Sequence, residues 1–149
     1  MNSLPRSRAG LTALFLFAAL PASADVVKIG MTLPLTGVQQ GNGNETEQVW
    51  CAFGKYAANN KLLKSHSLEF ITLDDEFNGA KAQANTQKLM SSGAAVIVST
   101  LGIPQVNGMI PDLEKNRVPL LGIGSGSPTL RDKSPAVFHV KATFADERA

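Results

Sequence analysis

The sequence predicts an α/β protein with an open, mostly parallel sheet and helices on both faces, a three-layer architecture. Short apolar, strand-like segments alternate with amphipathic ones along the chain. Residues 96–98, Val-Ile-Val, have no polar alternation, which is typical of a strand covered on both faces. Loops rich in glycine and hydroxyl residues follow several of the predicted strands. The 149 residues are enough for one domain with a hydrophobic core.

The amino terminus has the features of a secretory signal. Arg6 and Arg8 precede the apolar run 9–20, and the small residues 22–24 offer a cleavage site. The run is too short to span a bilayer. We therefore expect residues 1–24 to be a cleaved signal peptide and Asp25 to be the first mature residue. Without the two arginines, basic and acidic residues balance, so a nucleic-acid partner is not expected.

The alternation predicts five strands. Their residues are mostly apolar, and loops rich in turn-forming residues separate them from the helices. The predicted strands are residues 26–31, 68–73, 96–98, 118–123 and 137–140.

Capping signals place the helices between these strands. Asn44 with Glu47 resembles a capping box at the start of the first helix, and Asn78-Gly79 leads into a second helix over 80–90. The third helix opens on Pro104 and contains Pro111, for which we expect a kink or two short helical pieces.

The first helix is predicted to be amphipathic. Its expected apolar face comprises Val49, Ala52, Phe53, Tyr56 and Ala57. Cys51, the one cysteine of the chain, lies in the same helix. An internal disulfide is therefore impossible, and we expect Cys51 to be a small buried apolar side chain.

Three polar loops are expected to meet at one edge of the sheet, because the carboxyl ends of parallel strands share an edge. They are Thr36-Gly37, residues 99–102 and residues 124–127. Backbone N–H groups and hydroxyls there suit a small carboxylate or a phosphate. Leu101, Gly102 and Ile103, next to the start of the third helix, form a candidate ligand loop.

A dinucleotide site is the alternative that the glycines offer. Residues 36–43 fit the TGxxxGxG pattern of short-chain dehydrogenases, with Asp74 or Asp75 as the acid that would bind ribose. However, Tyr56 is followed four residues later by Asn60, so the Tyr-x-x-x-Lys pattern is missing. An exported protein would also lack a ready nicotinamide supply. An NAD(P)-binding enzyme is the less favoured hypothesis.

Other polar residues do not form a catalytic or metal-binding set. Asp74, Asp75 and Glu76 are expected to be solvated acids near a helix N-terminus. His66 and His139 have no cysteine or histidine partner at ligand spacing. The sequence therefore predicts a binding protein without cofactor or metal rather than an enzyme.

The ordered segments VVKIGMTLPLTG, LDDEFNGAKAQANTQKL, LGIP, GSGSPTLRD and VFHVKATFADE resemble a known family. They are similar to the amino-terminal part of periplasmic solute-binding proteins of ABC transporters, of the leucine/isoleucine/valine-binding type (type I). The resemblance implies that residues 25–149 are the first of two α/β lobes, which close on a solute and deliver it to an ABC permease. It implies a periplasmic location and an amino acid or similar carboxylate as ligand.

The resemblance also implies a ligand site in this lobe. Backbone groups and hydroxyls of Gly102, Ile103, Ser125, Gly126 and Ser127 would hold the ligand's carboxylate and amine. Two departures leave branched-chain amino acids, other amino acids, amides and carboxylates open. Ile103 replaces a hydroxyl residue of many relatives, and residues 40–42 replace an aromatic lid.

The chain ends after the fifth predicted strand, so most of a second lobe is expected to be missing and binding by this chain alone to be weak or absent. A ligand-sensing domain of a receptor uses the same fold and is an alternative. A fragment without function, prone to aggregate through its open sheet edge, is another.

Overall fold

A computed structural model describes residues 25–148 as an α/β fold, and the predicted signal segment 1–24 lies outside the described residues. The sheet has five strands in the order β2-β1-β3-β4-β5, and every pairing is parallel. This confirms the predicted open parallel sheet. The strands are β1 Val26–Leu33, β2 Ser67–Asp74, β3 Val96–Val98, β4 Leu120–Leu121 and β5 Val137–Phe138.

Three α-helices within residues 25–148 cover the sheet: α1 Gln40–Asn59, α2 Gly79–Ser91 and α3 Ile103–Asn116. Side chains of α2 and α3 form the larger core with one face of the sheet, and α1 packs on the other face, over β1 and β2. None of these described helices is long and apolar enough to cross a membrane.

The larger core is built from alternate strand residues and one stripe of each helix. Ile97, Leu120 and Val137 point to this side from three neighbouring strands. Val106, Met109 and Leu113 of α3 are fully buried against them, at the spacing that the sequence predicts.

The smaller core under α1 differs from the prediction. The helix begins at Gln40, so Asn44 lies inside it and does not cap it. The predicted apolar face is wrong for four of its five residues, since Val49, Ala52, Phe53 and Tyr56 are exposed, and Ala57 alone of the five is buried.

Close packing explains this orientation of α1. The helix turns Gly43, Trp50, Gly54 and Ala57 towards the sheet. A Cβ atom added at Gly43 would lie 2.0 Å from the Pro34 carbonyl oxygen, so only glycine permits this approach. Cys51 lies on the outward side and is exposed, contrary to the prediction that it is buried.

The other helices follow their signals more closely. The Asn78 side chain caps α2 by accepting a hydrogen bond from the Lys81 N–H at 3.1 Å. Helix α3 begins one residue before Pro104 and runs continuously through Pro111, so the expected division into two pieces is wrong. Because its apolar stripe is anchored in the core, packing holds this helix together where proline removes a backbone hydrogen bond.

The fourth strand is shorter than predicted. It ends at Leu121, because Gly122 has a φ of +65° and turns the chain out of the extended conformation. The Gly124 N–H still donates to the Thr100 carbonyl at 2.9 Å, which joins the loops after β3 and β4. The backbone therefore brings two of the three predicted ligand loops together.

Candidate functional site

Two neighbouring clefts lie along the carboxyl edge of the sheet, where the sequence predicts a ligand. Their volumes are about 410 Å³ and 490 Å³, and they share Asn42, Leu101 and Gly124 as lining residues. We call the smaller one the α3 cleft, because it lies at the N-terminus of α3, and the larger one the Trp50 cleft. This edge is the usual ligand position in open α/β sheets.

The α3 cleft contains most of the predicted ligand loop, and its lining is mainly apolar. Gln39, Asn42 and Ser125 are its polar side chains, and Asn42 donates a 2.6 Å hydrogen bond to Gln39. The apolar lining residues are Phe77, Leu101, Ile103, Pro104 and Phe144.

The backbone at the start of α3 suits an anion. Gly102 precedes the helix with φ 91° and ψ 148°, and no side chain within residues 25–148 caps this end. N–H groups in the first turn of a helix lack intrahelical partners and favour negative charge. Gly102 and Ile103 therefore place the uncapped start of α3 at the edge of the cleft wall.

Gln105 lies directly behind this edge and was not predicted. Its side chain is fully buried, and neither amide atom has a hydrogen-bond partner among the described residues. A Cβ atom added at Gly102 would lie 2.1 Å from the Gln105 Oε1 atom. Buried amides are usually paired, so this unpaired amide beside Gly102 is an exception within the described residues. The sequence did contain a signal for Gln105, because this residue stands in the first turn of the third helix, on the face that the helix buries.

The loop after β4 divides the predicted residues into two groups. Ser125 lines the α3 cleft, and its Oγ accepts a 3.2 Å hydrogen bond from the Ser127 N–H, which leaves its own hydroxyl hydrogen for a ligand. Ser127 is buried, and its Oγ accepts a hydrogen bond from the Thr129 N–H at 3.3 Å. The Gly126 carbonyl accepts a bond from the Phe144 N–H at 2.9 Å. Gly126 and Ser127 thus shape the loop, and Ser125 faces the cleft.

The Trp50 cleft was not predicted. The Trp50 Nε1–H donates to the Ser99 Oγ at 2.8 Å, and the indole packs edge-to-face on Phe53 with a centroid distance of 5.8 Å. Ser99 has a φ of 56°, a conformation that few residues other than glycine adopt. The sequence holds no local signal for this pair, since Trp50 and Ser99 come together only through the sheet.

The acidic pair at the end of β2, Asp74 and Asp75, has a structural role. The Asp74 carboxylate accepts bonds from the Thr36 hydroxyl at 2.6 Å and from the Leu35 and Glu76 N–H groups at 2.9 Å. Desolvation raises the pKa of Asp74, but the hydrogen bonds from Thr36 and from the backbone together lower it below its usual value. Asp74 therefore ties the loop after β1 to the end of β2.

Asp75 differs from the expected solvated acid, because it is fully buried. Its oxygens accept bonds from the Thr32 hydroxyl at 3.0 Å and the Phe77 N–H at 2.9 Å. Burial raises the pKa of Asp75, although these hydrogen bonds oppose the shift. The side chain fits here because polar partners replace the water that it loses.

The glycine pattern 36–43 does not form a phosphate loop in this fold. Gly41 and Gly43 lie within α1, and Gly43 packs against Pro34.

His139 Nε2 lies 3.0 Å from the Leu130 carbonyl oxygen. Residues 25–148 contain no group of three or more histidine, cysteine or acidic residues that could hold a metal ion.

The fold and this edge identify the class of protein: the profile of the periplasmic binding protein family matches residues 26–148, and the chain belongs to that family. Its structure is similar to a possible leucine/isoleucine/valine-binding protein from Rhodopirellula baltica, with 28% identity and a TM-score of 0.81. That match covers 87% of this chain and 35% of the other.

Two further solved structures share the fold. An extracellular ligand-binding receptor from Verminephrobacter eiseniae is 24% identical, with a TM-score of 0.70 over 78% of this chain and 34% of that one. A solute-binding protein of an ABC transporter from R. palustris, in complex with 4-hydroxybenzoate, is 20% identical, with a TM-score of 0.66 over 77% and 32%. The chain spans about a third of the length of these proteins. Among curated proteins no sequence matches it.

Proposed function

We propose that this chain is the amino-terminal lobe of an exported, periplasmic solute-binding protein. The protein binds a small carboxylate such as an amino acid for delivery to an ABC permease. The observation that carries the proposal is the uncapped N-terminus of α3, which faces a cleft together with the Ser125 hydroxyl. The family supports a binding role, and the solved structures similar to this chain include a leucine-binding protein, a solute-binding protein in complex with 4-hydroxybenzoate and the substrate-binding protein of a fatty acid ABC transporter.

The carboxylate would lie between two loops. The backbone N–H groups of Gly102 and Ile103 would donate to one oxygen, and the Ser125 hydroxyl would donate to the other. Gly126 and Ser127 would act behind Ser125 by keeping its loop in shape. This arrangement needs no positively charged side chain, because the helix N-terminus supplies the favourable field.

Affinity would depend on a second lobe. In a two-lobe protein the ligand stabilises the closed state by contacting both jaws, so its binding energy is divided between them. The α3 cleft is open to solvent and supplies one jaw. We therefore expect this chain alone to bind a small carboxylate weakly, with a Kd of about 1 to 10 mM.

Amide chemical-shift perturbation tests this proposal at weak affinity. ¹⁵N-labelled protein, exported through its own amino-terminal segment and purified, is titrated with L-leucine to about 10 mM, where millimolar sites fill. We expect shifts at the amides of Gly102, Ile103 and residues 125–127. Ser125→Ala should weaken the binding of leucine about tenfold, the effect of losing a hydrogen bond to a charged group.

Ser91→Ala is the matched control, because Ser91 is an exposed serine at the far end of α2. It should bind leucine as the unmodified chain does. If leucine leaves all the amides of the edge loops unmoved, or if it shifts only residues outside both clefts, the proposed site is wrong.

A further inference from the structure

The turn after β2 has an unusual backbone. Glu76 and Phe77 have φ values of 51° and 58°, in the left-handed region that residues with side chains rarely adopt. Two consecutive residues in this conformation need strong local support. The turn ends at Asn78, the cap of α2, so it lies directly at the edge that carries the clefts.

Two carboxylates supply that support. Asp74 Oδ1 accepts the Glu76 N–H and Asp75 Oδ1 accepts the Phe77 N–H, both at 2.9 Å. The second oxygen of Asp75 accepts the Thr32 hydroxyl of β1 at 3.0 Å. Because Asp75 is fully buried, these bonds tie the backbone of Phe77 to the interior of the sheet.

The turn delivers an aromatic ring to the α3 cleft. The Phe77 side chain lines the cleft, and the residue is 36% exposed although it is apolar. A Cβ atom added at Gly102 would lie 3.0 Å from the Phe77 Cε2 atom, so the ring lies against the residue that begins the anion-binding edge. A carboxylate held at Gly102 would therefore have its carbon skeleton beside this ring.

We propose that Phe77 is a specificity-determining residue of the α3 cleft, which favours carboxylates with a flat aromatic body, and that Asp75 is the residue that positions it. The inference rests on the proposed function, because it places the ligand's carboxylate at Gly102. Ring-to-ring contacts are favourable beyond the area that they bury. Leu101, Ile103, Pro104 and Phe144 complete an apolar surround for such a body.

Two probes that share a carboxylate separate the ring from the anion site. Benzoate and acetate are titrated into the ¹⁵N-labelled chain, the Phe77→Leu variant and the Phe138→Leu variant. Phe138 is the control, because it is an exposed phenylalanine of β5 that lines a separate cavity and neither cleft at this edge, and the affinities are read from the amides of Gly102 and Ser125. We expect Phe77→Leu to weaken benzoate about threefold to tenfold, leave acetate unchanged, and differ from Phe138→Leu, which should change neither.

The role of Asp75 is tested by loss and rescue of the same ratio. Asp75→Ala should lower the preference for benzoate over acetate, because the Phe77 N–H loses its acceptor. Asp75→Asn should restore the preference, since the amide oxygen can still accept that bond. If Asp75→Ala does not fold, the two phenylalanine variants still decide whether Phe77 determines the preference for benzoate.

The outcomes separate the two proposals. An unchanged ratio of benzoate to acetate affinity in Phe77→Leu, with both acids still shifting the amides of Gly102 and Ser125, overturns this inference and leaves the proposed function standing. A failure of acetate, benzoate and leucine to shift these amides in the unmodified chain overturns both.

Discussion

Gly102 is the residue on which the geometry of the α3 cleft depends, and its replacement by alanine gives a direct test. Its φ of 91° and ψ of 148° lie near a region that is almost restricted to glycine. A residue with a Cβ atom at this point should strain the backbone by about 1–3 kcal/mol.

The surroundings add to this cost. The new Cβ atom would lie 2.1 Å from the Gln105 Oε1 atom and 3.0 Å from the Phe77 ring. Gln105 is fully buried, so its side chain can move only by disturbing the core, for which overpacking typically costs about 1–3 kcal/mol. Together we expect Gly102→Ala to lower the free energy of unfolding by about 2–6 kcal/mol.

Urea unfolding, followed by circular dichroism, measures this loss, and Gly41→Ala is the matched control. A Cβ atom at Gly41 meets nothing within 4 Å, and the residue lies in the first turn of α1. We expect Gly41→Ala to be neutral or to stabilise by up to about 1 kcal/mol. If Gly102→Ala unfolds at the same urea concentration as the unmodified chain, or if Gly41→Ala loses as much, the assignment of strain to Gly102 is wrong.

Three further predictions concern the site and its supporting residues, and a fourth concerns the amino terminus. Folding raises the pKa of the Asp75 carboxyl. The unmodified chain should therefore lose stability relative to Asp75→Asn as the pH rises from 3.8 through the folded-state pKa. A difference in urea unfolding that stays constant between pH 3 and 7 would contradict this. Folding lowers the pKa of the Asp74 carboxyl. The unmodified chain should therefore be more stable than Asp74→Asn above pH 3.8, and this difference in unfolding free energy should disappear as the pH falls through the folded-state pKa. A difference that persists at lower pH would contradict this. Ser99→Ala removes the acceptor of the Trp50 N–H in a partly buried site, so tryptophan fluorescence should shift and stability should fall by about 1 kcal/mol, whereas an unchanged spectrum would argue against the bond. Because we predict that residues 1–24 are a cleaved signal, protein expressed with this segment should begin at Asp25 by mass spectrometry, and a retained amino-terminal segment would contradict the predicted cleavage.

Local signals predicted the elements that local chemistry determines. The Asn78 cap, the apolar stripe of α3 and the uninterrupted apolar run of β3 each follow from neighbouring residues, and the structure has them. The parallel order of the strands follows from the regular alternation, because right-handed crossovers leave few other arrangements.

The orientation of α1 could not be predicted from periodicity. The large apolar side chains of Phe53 and Tyr56 lie on the exposed side of the helix, and the face that it buries has mostly smaller residues. Gly43 and Gly54 decide the orientation, because a Cβ atom at Gly54 would lie 2.6 Å from the Phe70 ring. Close approach of a helix to a sheet depends on the partner strand, which a pattern within the helix does not describe.

The same division separates the two parts of the candidate site. The proposed anion binding at Gly102 and Ile103 would depend on the backbone, and the glycine and proline that shape this backbone, Gly102 and Pro104, stand two positions apart in the sequence. Phe77 and Trp50 line the clefts from other segments, and Asp75, a residue that looks solvated in the sequence, positions one of them through the interior. On such a fold the helix N-terminus can hold a carboxylate in the same way while the preferred carbon skeleton of the ligand changes. The residues that contact this skeleton lie on other loops, so they can vary without altering the helix N-terminus.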